Sequence, residues 1–114
     1  MITSTRAAWL HGGPWLEAVV AHLRGNRDFV ARTVAESLPG VVHHPPEATY
    51  LAWLDCRDLG LGDDPAAVFR SRGRVALGSG PAYGRDAGRG FVRLNLATCP
   101  ALVEEAVRRM ASAL

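Results

Sequence analysis

The sequence predicts an α+β fold: one small mixed or antiparallel sheet of about four strands, helices on one face, and a long helix ahead of it. Three observations carry this. Phe91-Val92-Arg93-Leu94-Asn95-Leu96 alternates in a strand-like way, with Val92, Leu94 and Leu96 on one face and Phe91, Arg93 and Asn95 on the other. Apolar residues from Leu16 through Val19, Val20, Leu23, Phe29, Val30 and Val34 to Leu38 recur at helical spacing. Between and after these, the elements run helix, strand, strand, helix, strand, strand, helix.

Ser4 to His11 reads as a short helix stopped by Gly12-Gly13, and Pro14 then suits the first turn of the next helix. That helix reaches Leu38 ahead of Pro39-Gly40. Roughly 24 residues span about 36 Å at the usual rise, against a radius of gyration of about 13 Å for a globule of this size. A helix so long suggests a strut toward something else. Gly25-Asn26 should weaken its middle, by about 1 kcal/mol relative to Ala at the glycine. Val41 to His44 and Tyr50 to Asp55 read as strands, the second nearly continuous in apolar character and therefore central. Asp64 and Pro65 open a helix over Ala66 to Arg72. Val75 to Leu77 reads as the third strand, followed by a loop, Gly78 to Gly90, rich in glycine. The last helix starts at Pro100, capped by Thr98 or Cys99, and runs to about Ala113 with Leu102, Val103, Ala106, Val107 and Met110 as its apolar stripe.

At 114 residues the chain makes a single domain, 1–114. All 13 basic residues are Arg and none is Lys. Chemistry that needs a side-chain amine, such as a Schiff base or a phosphate-loop lysine, is therefore incomplete in this polypeptide. A net charge of +2, with the arginines scattered, argues against nucleic acid as a partner. There is no long apolar run and no signal-like start, so no membrane insertion is implied and a cytoplasmic location is the expectation. Cys56 and Cys99 make no disulfide framework. His43 and His44 are strand neighbours facing opposite ways, and His11 and His22 lack ligand-spaced companions, so no metal site is expected. Trp9, Trp15 and Trp53 read as packing residues. The glycine-rich loop lacks the Lys-Ser/Thr ending of a phosphate loop and reads either as a mobile loop beside a site or as a plain hairpin connection.

Arg93 is the candidate functional residue. A charge in mid-strand must find a partner or reach water. It is either an edge-strand residue facing solvent or a rigidly held fork for a carboxylate or phosphate. The Arg93 face also looks uncovered, so something outside the chain is expected against it.

Three stretches carry a family resemblance: Pro46-Glu47-Ala48-Thr49-Tyr50-Leu51-Ala52-Trp53-Leu54-Asp55; Val75-Ala76-Leu77 with Gly80-Pro81 and Tyr83-Gly84; and Gly90-Phe91-Val92-Arg93-Leu94-Asn95-Leu96-Ala97. Together they resemble the C-terminal part of class I/II aminotransferases, the fold-type I pyridoxal-phosphate enzymes. Gly12-Gly13-Pro14-Trp15 and Leu23-Arg24-Gly25-Asn26-Arg27 add a likeness to the MalY/PatB-type cystathionine β-lyases. The resemblance implies an aminotransferase-type small domain, the C-terminal domain of a larger pyridoxal-phosphate enzyme. It implies that Arg93 grips the α-carboxylate of an amino-acid substrate, that Asn95 helps orient it, and that Tyr50 stands near the active-site entrance. It also implies a large cofactor domain as partner, a homodimer in full-length form, and no pyridoxal phosphate bound to this segment alone, which would be inactive by itself. The activity implied is C–S β-lysis, with transamination as the alternative. A stand-alone ligand- or protein-binding module is the reading outside this family.

Overall fold

The second helix runs unbroken because its only proline sits in the first turn, where a missing N–H costs nothing, and Gly25 is tolerated in its middle. In the computed structural model, which describes residues 2–114, this α2 spans Gly13–Ser37, after a short α1 at Ile2–His11. Two strands follow, β1 at Val42–His43 and β2 at Leu51–Asp55. Then come α3 at Pro65–Gly73, β3 at Gly78–Ser79, β4 at Phe91–Asn95 and α4 at Pro100–Ser112. Short 3-10 turns lie at Arg57–Leu59 and Gly80–Ala82. The four strands form one antiparallel sheet in the order β1-β2-β4-β3.

One face of the sheet is dry. Ala52, Leu54, Val92 and Leu94 point into a cluster built by Val30, Val34 and Leu38 at the end of α2, Phe69 of α3, and Val103, Val107 and Met110 of α4. Burial along β2 alternates, so it is central but not apolar throughout, and Trp53 faces away from the core. The N-terminal half of α2 leaves the core behind. Leu16 and Val20 are exposed there, and with α1 it gives the molecule extents of 49 × 29 × 23 Å and a radius of gyration of 16.0 Å, above the roughly 13 Å of a compact domain. Trp9 and Trp15 are 85% and 70% exposed. They are not core residues within this chain, contrary to expectation.

Three further local expectations shift. The strand foreseen at Val75 to Leu77 forms instead at Gly78–Ser79. Arg74 takes a left-handed turn (φ 53°) and Val75 N–H still caps α3 through the Phe69 carbonyl at 3.3 Å, so the chain reaches β4 only afterwards. Leu102 is 59% exposed; the buried stripe of α4 is Val103, Val107 and Met110, and Leu102 lies one residue, about 100°, off that line. Asn26 is a buried anchor. Its Nδ2 donates to the carbonyls of Leu96 at 2.7 Å and Thr98 at 2.8 Å, fastening α2 to the chain leaving β4.

Candidate functional site

The strand that anchors the core also presents the site. Val92 and Leu94 are buried under the helices, so Phe91, Arg93 and Asn95 face the other way. The register sets Trp53 opposite Arg93 and Asp55 opposite Phe91 on β2, and Gly78 opposite Arg93 on β3. Directly paired residues share a face. Trp53, Asp55, Phe91 and Arg93 therefore gather on the open side, and the 80–90 loop lays Tyr83 over them.

The result is a row of rings closed by a guanidinium at each end. Arg93 Cζ lies 4.2 Å from the Tyr83 ring centroid. Tyr83 meets Trp53 edge-on at 6.2 Å and 75°, and Trp53 stacks on Phe91 at 5.4 Å and 16°. Arg57 Cζ lies 5.0 Å from the Phe91 centroid. Such contacts gain strength where water is excluded.

The two guanidiniums differ. Arg57 donates through Nε to Asp55 Oδ1 at 2.9 Å and through Nη2 to Asp55 Oδ2 at 2.7 Å. These bonds hold the Asp55 carboxyl below its ordinary range, with the hydrogen bond from Arg57 as the main cause. Arg57 is thereby neutralised. Among the described residues no carboxylate pairs with Arg93. Its charge is half-buried against a ring, and its edge N–H groups are left for an external acceptor. A shallow hollow of about 180 Å3 lies beside the Trp53 and Tyr83 rings, lined also by Gly84, Ala87 and Gly88.

Of the residues singled out in the sequence, Asn95 shares the Arg93 face but spends its Oδ1 accepting the Ala97 N–H at 2.8 Å. Its NH2 remains open to a ligand. Tyr50 goes elsewhere. Thr49 has left-handed backbone (φ 71°), uncommon for a β-branched residue. Leu96 N–H donates to the Tyr50 carbonyl at 2.7 Å. The Tyr50 ring joins Leu23, Arg24 and Arg27 of α2 in a separate hollow of about 340 Å3. Arg93 and Asn95 thus come together, while Tyr50 lies on the side toward α2. The aromatic row was not foreseen. Trp53 could have been assigned by counting along β2 once its pairing with β4 is known; Tyr83 could not, because loop conformation decides it.

Burial pushes the Cys56 thiol up to about 12, which keeps it an inert core residue. Cys99 is exposed at the start of α4. His43 is held below its ordinary value, first by burial. Among the described residues no group of three or more His, Cys, Asp or Glu could hold a metal ion, and no helix is long and apolar enough to cross a membrane.

Comparison with known proteins gives a consistent picture. A Mycobacterium tuberculosis protein provisionally named a cystathionine beta-lyase is 42% identical over 95% of this chain and 30% of its own length. The cystathionine beta-lyase PatB of Bacillus subtilis is 34% identical over 99% of this chain and 29% of its own length. A solved structure from Corynebacterium diphtheriae, provisionally named a pyridoxal-phosphate-dependent β-cystathionase, superposes with a TM-score of 0.88 at 40% identity, covering 94% of this chain and 28% of that one. The chain spans about 30% of the length of the relatives it matches. No family model matches it.

Proposed function

We infer that this chain, a homologue of the MalY/PatB-type cystathionine β-lyases with the small-domain fold of the aminotransferases, acts as the carboxylate-gripping domain of a pyridoxal-phosphate-dependent C–S β-lyase that works on amino acids. The observation that carries this is Arg93: a guanidinium on a central strand, backed by a ring, with no carboxylate paired to it among the described residues. A planar fork so placed can receive both oxygens of an α-carboxylate through parallel hydrogen bonds. The Asn95 NH2, two residues along the same face, is a second donor. Tyr50 borders the entrance from the α2 side rather than touching the carboxylate.

The cofactor does not fit this chain alone. The chain has no Lys to join it covalently, and the hollow at Trp53 and Tyr83 is lined by rings and small residues rather than by an anion cradle. Bound elsewhere in the whole protein, pyridoxal phosphate supplies the electron sink that such cleavage requires. What this chain adds is orientation: a carboxylate pinned at Arg93 fixes where the α-carbon and the β-substituent lie. α1 and the overhanging half of α2, with Trp9 and Trp15 exposed, would be covered by the large domain that carries the cofactor, and the whole protein would pair as a homodimer.

In the whole protein, Arg93→Ala should lower kcat/KM about ten- to a hundredfold, equivalent to about 1.5–3 kcal/mol for charged hydrogen bonds. Arg93→Lys should fall between, since it keeps charge but loses the fork. Steady-state kinetics on an amino-acid thioether provide the check. An unchanged kcat/KM in Arg93→Ala would end this reading.

A further inference from the structure

We propose that Tyr83 is the positioning residue of this site: its ring clamps the Arg93 guanidinium so that the donor edge is presented ready for a carboxylate. The inference rests on the carboxylate reading of Arg93 and extends it to a residue that never touches the substrate.

Four contacts build the clamp. The Tyr83 ring covers one face of the guanidinium, with Cζ 4.2 Å from the centroid. That contact engages the π-face and leaves the in-plane N–H groups free. Trp53, directly across the ladder from Arg93, braces Tyr83 edge-on at 6.2 Å. Phe91 stacks behind Trp53 at 5.4 Å, so the brace continues along the row. On the other side β3 presents Gly78 opposite Arg93. A Cβ there would sit 3.1 Å from Arg93 Cβ, 3.1 Å from Tyr83 Oη and 3.3 Å from Tyr83 Cε2. The Tyr83 ring thus packs closely over position 78, where a side chain would press on it. The loop holds its own shape through Tyr83 N–H to the Gly80 carbonyl at 2.9 Å and Gly88 N–H to the Gly84 carbonyl at 2.7 Å.

An arginine has many rotamers, and fixing them in advance lowers the entropy lost on binding. Among the described residues no acid does that for Arg93, and an acid would also compete with the substrate. A ring immobilises the charge without neutralising it. Arg57 shows the alternative, being held by Asp55 at 2.7 Å and spent as a donor. The hydroxyl has no part in the clamp, so the ring alone should suffice.

The test pairs a spectroscopic readout with kinetics. In this 114-residue chain, the Arg93 Nε–Hε resonance, assigned by its loss in Arg93→Lys, should lie at a ring-shifted position, move on Tyr83→Leu and stay in place on Tyr83→Phe. In the whole protein, Tyr83→Leu should raise the KM for an amino-acid thioether three- to tenfold with kcat within twofold, and Tyr83→Phe should restore KM. A resonance that ignores Tyr83→Leu overturns the clamp. So does a fall in kcat with KM unchanged, which would place Tyr83 in the chemistry. If the resonance moves and KM stays flat while Arg93→Ala still raises it, the clamp fails and the carboxylate site stands. If Arg93→Ala leaves KM flat as well, both readings fall together.

Discussion

The two faces of the β2–β4 ladder are made by alternate residues of the same ten-residue pairing, yet they differ in almost every physical respect. On one side Ala52, Leu54, Val92 and Leu94 lie in a close-packed apolar layer sealed by α2, α3 and α4. On the other, Trp53, Asp55, Phe91 and Arg93 lie half-open in a row of rings and charges. The first face determines whether the domain folds; the second holds a charge still in search of its partner. Substitutions on the first should therefore register as stability, and on the second as substrate affinity with the fold intact.

The largest effect expected tests the dry face. Phe69 is fully buried on α3, among the largest side chains of the core. Phe69→Ala should cost about 3–5 kcal/mol, because lost burial and the cavity left behind add together. Chemical denaturation of the chain measures it. Arg93→Ala in the same assay should cost only about 0.5–2 kcal/mol, the worth of its contact with the Tyr83 ring. If the two substitutions destabilise equally, the division between the faces is wrong.

A second test sharpens where the dry face ends. Asn26 reaches from α2 to the carbonyls of Leu96 and Thr98, the residues that follow β4 as it leaves the sheet. Asn26→Ala leaves the buried Leu96 carbonyl without this donor, at a cost of about 1–3 kcal/mol per unsatisfied group. Hydrogen exchange should quicken at the start of α4 and in the second half of α2, and change least in β2.

How legible all this was in the sequence depends on how local the cause is. The alternation of β4 and the spacing of α2 lie in contiguous residues, so the layer and the side on which Arg93 sits could be read directly. The overhang of α2 was legible for the same reason, as a length that no small globule requires. What escaped reading was set at a distance. Asn26 looks like a helix-weakening residue until the carbonyls after β4 arrive to meet it. Val75 to Leu77 has strand composition, but the cap of α3 uses that stretch first and pairing begins at a glycine. Tyr50 carries the parity of the core face and is turned into another hollow by the left-handed Thr49. Tyr83 reaches Arg93 only because a loop folds back over the sheet.

The last test sharpens the comparison at a single peptide bond. Asp55 and Cys56 are neighbours at the end of β2, one ion-paired on the open face and the other sealed in the core. Burial raises the Cys56 thiol to about 12, with the nearby Asp55 charge adding in the same direction. A raised thiol favours the folded state while the group stays neutral, and this contribution is fully present below the unfolded value near 8.5. Above it the unfolded chain releases the proton first, so stability should decline from about pH 9 toward 12. Cys56→Ser, which removes the titrating thiol, should flatten that decline. At pH 8 an aromatic disulfide reagent should label one thiol per folded chain, the exposed Cys99, and two after denaturation. Labelling of both thiols at similar rates in the folded chain would show that the seal beneath the open face does not extend to Cys56.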